Sequence, residues 1–370
     1  MESSDLTFDV VPLKQIYGEE GKDPDKELQK LISEEHFDFI FLKQLYQYDD
    51  LLHNNKLAPI DQLVKDGSLW NQSVIKQLSR DGSIYGFSPT FYADALFINK
   101  SLFEQTGVPL PSEDSSMDWN QYFQTLNRFG PENAGMSTSS NAGLFALILG
   151  TLQGLTFYQN DNIVLATSEW EKVFDQVRQA FKDKAIRIED SIDPMNGDLF
   201  EQGKVAFKFE TSDYIRSLQE KQNQAARPFE WMVAPMPHQS DSSLSNVPFI
   251  HLNEIAAIPA DTANKKQAEE FLSFIMGEKM TRVFQQQGEL TTRNMESNND
   301  KSVKFSYLRN MDFSSQTTKS YNEIMMSMPD QYYSTLLETV GTVMNELMES
   351  NTATMEGLQQ IETAMLTAPN

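Results

Sequence analysis

Residues 81–107 read DGSIYGFSPTFYADALFINKSLFEQTG, and the succession of strand, bend, strand and helix in that stretch decides the fold. Residues 84–87 (IYGF) form an apolar-rich run. Pro89 interrupts it, because proline has no N–H to give to a ladder. Residues 95–98 (ALFI) restart the strand, and residues 99–105 have the composition of a short helix closed by Gly107. A strand that runs to a proline, bends and enters a new sheet carries one chain between two lobes. A ligand is then expected to be gripped between them.

Composition is compatible with two such lobes. The chain has 370 residues, long for one core, with 39% hydrophobic and 22% charged side chains. A net charge of −23 argues against nucleic acid and anionic membrane as partners, since phosphates would be repelled. No cysteine is present, which excludes disulfides, thiolate zinc sites and a thiol nucleophile. The longest uncharged apolar stretch, residues 142–155, is too short to span a bilayer. Residues 1–11 (MESSDLTFDVV) have neither a basic start nor an apolar run of the export type, which taken alone points to the cytoplasm.

Along the chain, residues 6–13 (LTFDVVPL) and 37–42 (FDFIFL) read as strands. Residues 25–35 and 44–55 read as helices, a βαβα order that implies parallel strands. Val173, Val177, Ala180 and Phe181 mark a further helix. Residues 191–200 read as a loop entering a helix, 204–209 (KVAFKF) as a strand, and 219–227 as helix running into loop. A Ser-rich linker at 239–245 precedes a strand at 249–259 and an amphipathic helix at 265–276. Residues 334–347 and 355–366 read as a terminal helical pair.

The crossover, continued by VPLP and MDWNQYFQTLNRF, resembles the family 1 extracellular solute-binding proteins, the maltose-binding-protein-like receptors of ABC importers. Tyr85, Gly86, Pro89, Leu96, Asn99, Lys100, Leu102, Phe103, Gly107, Pro109, Pro111 and Trp119 fall on that family's pattern. Ile98 stands where the family has Tyr, and Asp118 where it has Thr. LAPIDQL (57–63), FEQGKVAF (200–207), WMVAPMP (231–237) and residues 256–275 resemble further family blocks, so the match runs in order over about residues 6–293.

The resemblance implies an α/β, two-lobed periplasmic-binding-protein-like fold, each lobe a mainly parallel sheet flanked by helices, with the ligand cleft between lobes. Residues 1–93 and 239–293 would form lobe I; residues 94–238 and 294–370 would form lobe II with its helical tail. It implies a monomeric receptor, not an enzyme, that needs no cofactor or metal. Such a receptor closes on a small solute, most often a sugar, and docks on ABC permease subunits. It implies an extracytoplasmic place, lipid-anchored at the cell surface or periplasmic, with the export signal upstream of the given sequence. Two alternatives stay open, a ligand-sensing partner of a membrane signalling protein and a degenerate homologue. In the family a first strand and helix precede the strand that LTFDVVPL resembles. The N-terminal lobe is therefore expected to lack one central parallel strand and its helix.

No GxSxG, GxGxxG, Walker A or HExxH pattern occurs, and His36, His53, His238 and His251 show no metal-ligand spacing. Candidate residues are therefore those suited to a sugar. Aromatic faces receive its polarised C–H groups, and short polar side chains pair its hydroxyls. Lys43, Gln44 and Tyr46 follow the strand FDFIFL, at the edge where open α/β sheets bind ligands. Phe91, Tyr92 and Asp94 lie in the crossover itself. Glu210, Ser212 and Tyr214 follow KVAFKF, with Tyr214 nearest to the stacking aromatic of relatives. Ser139, Ser140 and Asn141 precede an apolar helix, and capping explains them as well as a ligand does. His251 interrupts an apolar strand and suits a satisfied core histidine or a ligand contact alike. Trp231 is open in the same way, while Trp70, Trp119 and Trp170 read as packing residues. Tyr332 and Tyr333 begin a tail helix where relatives place an aromatic platform.

Overall fold

Asp81 and Gly82 adopt φ of 51° and 81°, the left-handed region, and turn Ser79–Arg80 back onto Ser83–Ile84 as a tight antiparallel hairpin. Asp-Gly is the dipeptide such a turn favours. The run expected at 84–87 is thus split: Ile84 ends the hairpin, and Gly86–Phe87 joins a different sheet. After Pro89 the long strand Thr90–Asn99 begins, and Asn99 caps the helix Lys100–Thr106 by accepting from the Leu102 amide at 3.0 Å. Gly107 closes that helix at φ 70°.

The computed structural model describes residues 9–11, 24–112, 117–193, 196–225, 227–238, 250–252, 254–295 and 320–368. The chain divides into two units. One comprises Met1–Phe91, Leu252–Gln287 and Thr291–Ser297; the other comprises Tyr92–His251, Gly288–Leu290 and Asn298–Asn370.

In the first unit, Ile40–Leu42, Ile255–Ala257 and Gly86–Phe87 form a sheet in that order, antiparallel at both junctions. The central Ile255–Ala257 is buried throughout, and Gly86 is needed beside it. A Cβ there would lie 2.8 Å from Ile255 Cγ2 and 2.9 Å from Tyr48 Cε2. Tyr48 is fully buried; its hydroxyl donates to Leu78 O at 2.6 Å and accepts from the Tyr85 amide at 3.2 Å. The helices Pro24–Glu34, Leu45–His53 and Lys265–Ile275 bury Leu28, Ile32, Leu51, Ala268 and Leu272. The strand expected at residues 6–13 lies outside the described residues except for 9–11, which are in no strand. The expected gap in the N-terminal sheet concerns that same stretch, and the linker at 239–245 is likewise outside the described residues.

The second unit is built on a sheet with the main order Trp231–Ala234, Thr90–Asn99, Val205–Thr211, Ala134–Thr138, Ile186–Ile188. The last three strands are parallel to one another, with Phe207 opposite Met136 and Met136 opposite Ile186. The crossing strand and Trp231–Ala234 run antiparallel to their neighbours. The helices Ala142–Leu152 and Ser168–Lys182 carry the chain from Ala134–Thr138 to Ile186–Ile188, whereas residues 189–204 reach Val205–Thr211 with no helix among those described. Ala142–Leu152 is apolar almost all round because it is covered on more than one side. Gly150 meets the Trp170 indole of Ser168–Lys182, and Gly143 meets the backbone of Val340 in Asp330–Glu349. No helix among the described residues is long and apolar enough to cross a membrane. The terminal helices are Asp330–Glu349 and Thr354–Met365. Glu362 on the latter accepts from the Leu165 and Ala166 amides at 2.6 and 2.7 Å.

Further expectations are corrected. The strand expected at 249–259 is, among the described residues, two strands, Ile250–Leu252 and Ile255–Ala257, with Glu254 between them at φ 59°. The sheet of the first unit, expected to be mainly parallel, is antiparallel at both junctions. Residues 191–200 do not enter a helix: among those described, Asp193 and Gly197 bridge, and the chain turns at Gly197 and Gly203, with φ of 76° and 74°. Left-handed glycines at that spacing break a helix.

Candidate functional site

Alternation along Thr90–Asn99 puts Tyr92, Asp94, Leu96 and Ile98 on one face and Ala93, Ala95, Phe97 and Asn99 on the other. Across the ladder, Ile98, Leu96 and Asp94 face Phe207, Phe209 and Thr211. Phe207 and Phe209 pack on Tyr122, and Phe209 on Trp119, so the face is core until it reaches Asp94 and Thr211. There it turns polar. Ser212 anchors the end: its amide donates to Ala93 O at 2.9 Å and its hydroxyl accepts from the Ala93 amide at 3.2 Å.

At this end Asp94 meets His251, with Asp94 Oδ1 2.8 Å from His251 Nε2. The two side chains are 13% and 37% exposed respectively. Burial disfavours the imidazolium, but the Asp94 bond and charge, joined by the charges of Glu323 and Asp213, outweigh it and raise the His251 pKa. Asp213 lies in the same turn as Ser212 and is legible in the sequence as another short polar residue after KVAFKF. Glu323 sits in Tyr321–Met326, a tail helix with no sequence signal linking it to the crossover.

The other candidates in this unit are dispersed. Glu210 is opposite Ala95, on the sheet face away from Asp94, with its carboxylate 3.7 Å from Lys208 Nζ. Tyr214 lies on that face too. Its ring is edge-on to Phe97 at 5.0 Å, Lys208 Nζ sits 4.2 Å from its centroid, and its hydroxyl donates to Glu201 Oε1 at 3.1 Å. Burial and the Asp198, Glu201 and Glu210 carboxylates raise its pKa. Trp231 is buried beside Phe97, ring centroids 6.2 Å apart. Asn141 caps Ala142–Leu152, its Oδ1 accepting from the Leu144 amide at 2.9 Å, while Ser139 and Ser140 precede it. Tyr332 is buried against Tyr158, and the Tyr333 hydroxyl is 2.6 Å from that of Tyr321. Both tyrosines lie inside Asp330–Glu349, past its first residue. Trp119 and Trp170 are buried.

In the first unit, Lys43 and Gln44 follow Ile40–Leu42, exposed, and their amides donate to Gln47 Oε1 at 3.1 and 3.3 Å, which starts the helix Leu45–His53. Tyr46, in the first turn of that helix, is 39% exposed. Phe91 is buried, as is Trp70, whose ring carries the Arg293 guanidinium at 5.2 Å.

Comparison with known proteins bears on the fold and the family. A sugar transporter of Rhizobium etli, solved in an open conformation, superposes with a TM-score of 0.63 at 15% identity, covering 94% of this chain and 90% of that one. A cyclo/maltodextrin-binding protein complexed with maltotetraose gives 0.59 at 16%, covering 92% and 85%. UgpB from Mycobacterium tuberculosis in complex with glycerophosphocholine gives 0.58 at 15%, covering 92% and 86%. At such identities these likenesses establish the fold. No curated protein matches the chain by sequence. The family model for bacterial extracellular solute-binding proteins matches residues 22–305, most of the chain, and the protein belongs to that family.

Proposed function

We propose that this chain is the extracytoplasmic substrate-binding protein of an ABC importer and that its solute is a neutral carbohydrate. It acts by binding and hands the solute to membrane permease subunits, working as a monomer held at the cell surface or in the periplasm. The observation that carries the reading is the polar end of the crossing strand. Asp94, Thr211, Ser212, Asp213 and His251 gather where the apolar face stops. Carboxylates accept from sugar hydroxyls, and side-chain hydroxyls both accept from and donate to them. An anionic solute would face Asp94, Asp213 and Glu323 together, whose charges act on the single imidazole among them. Tyr92, on the same face of the strand, is the candidate ring for a sugar's apolar side.

A thermal-shift panel tests this with maltooligosaccharides, monosaccharides and polyols on one arm and glycerophosphocholine and sugar phosphates on the other. A true ligand at 100 times its Kd adds about 2.7 kcal/mol, or roughly 5–10 °C for a unit of this size. A shift from a neutral sugar alone is expected. A shift from the phosphate-bearing arm alone would reverse the assignment.

A further inference from the structure

The chain first passes from one unit to the other at Phe91 to Tyr92 and first returns at His251 to Leu252, with further crossings between residues 287 and 298. Asp94 stands just after the first passage and His251 is the last residue before the second. The short strand Ile250–Leu252 pairs with Thr90–Asn99. The Asp94–His251 bond thus lies where two strands, each carrying the chain between units, run side by side. We propose that this pair is a proton-operated clasp between the two crossing strands, tight when His251 is protonated and slack when it is neutral.

Three groups from three elements act on the imidazole: Asp94 from the crossing strand, Asp213 from the turn before Tyr214–Gln224, and Glu323 from Tyr321–Met326. All three are acidic. A protonated ring forms an ion pair with Asp94 through that bond and offsets the other two carboxylates; a neutral ring keeps at most its N–H bond to the carboxylate and loses the attraction between opposite charges. Because the folded-state pKa of His251 lies above its ordinary 6.5, the stabilisation is fully present below that value. It is lost as pH rises through the folded-state value. The clasp concerns the protein without solute and holds whichever solute binds.

The test is an NMR titration of the imidazole Cε1–H resonances of the full chain from about pH 5.5 to about pH 9. His251 is assigned by its loss in His251→Gln, or, should that variant not fold, by replacing His36, His53 and His238 in turn. The expected His251 midpoint lies above 6.5 and falls in Asp94→Asn. Thermal melts over the same range should show the parent losing more stability with rising pH than His251→Gln does. A midpoint at or below 6.5, or one that Asp94→Asn leaves in place, overturns the clasp.

Discussion

Asn99 offers the sharpest test of how the decisive segment is held together. It is fully buried at the junction of the crossing strand and the helix Lys100–Thr106. Its Oδ1 accepts from the Leu102 amide at 3.0 Å, while its Nδ2 donates to Gly203 O at 3.0 Å and Val205 O at 3.3 Å. One side chain thereby caps a helix and ties it to the start of Val205–Thr211. Removing an N-cap costs about 1 kcal/mol, and each buried hydrogen bond contributes about as much again. Asn99→Ala should therefore lose about 2–4 kcal/mol, a large share of a typical stability of about 5–15 kcal/mol. Asn99→Asp separates the two roles. Aspartate caps as well as asparagine, but it has no N–H to give and sets a buried charge against two carbonyl oxygens. At neutral pH it should be less stable than the alanine variant. Burial and the carbonyls raise the folded-state pKa of the introduced acid, so its deficit should shrink as pH falls through that value and the protonated carboxyl regains one donor. Urea unfolding followed by tryptophan fluorescence, at about pH 7.5 and about pH 5, reads all three chains. If Asn99→Asp matches the parent at the higher pH, the donations to Gly203 and Val205 contribute nothing and the reasoning is wrong.

Gly150→Ala pits helix propensity against space. Alanine gains about 1 kcal/mol in a helix interior, but its Cβ would lie 1.9 Å from Trp170 Cζ3 and 2.2 Å from Cη2. The indole is buried and bonded to Thr156 O, so overpacking wins, with a net loss of about 1–3 kcal/mol in urea that Trp170→Phe partly restores. Tyr214→Ala should cost about 2 kcal/mol of stability by emptying the space between Phe97 and Lys208. Calorimetric titration of the sugar identified by thermal shift should then give an unchanged Kd; a large loss of affinity would return Tyr214 to the ligand.

The parts of the fold that were legible in the sequence share a local cause. Proline at 89, the capping Asn99 and the left-handed Gly107 act within a few residues of themselves, so composition alone marks where strand, bend and helix fall. The apolar stretch after Asn141 was legible as a buried helix because its length is wrong for a membrane. Where an apolar or polar pattern was read past a turn signal, the reading slipped. IYGF looked like one strand, although Asp81–Gly82 states a hairpin turn that uses Ile84 up. Gly197 and Gly203 bracket residues taken as the start of a helix.

The candidate site was legible only in part, because a side chain's facing depends on partners that no local pattern names. Tyr332 and Tyr333 are adjacent, so on a helix they point about 100° apart; the core takes the first, and the second meets Tyr321. Glu210 and Tyr214 follow the right strand but lie on the face that Lys208 and Phe97 share. Asp94 and His251 are 157 positions apart, and each alone suits a bend or a core. What could have joined them is the topology itself. Once two strands are known to carry the chain between units, a polar residue early in the first and another late in the second are placed to meet. The same reasoning picks out Thr211, which ends the strand paired with the crossover at Asp94, and Ser212 just after it. Residues chosen by that rule cluster, whereas those chosen for following a strand or beginning a helix scatter over both units.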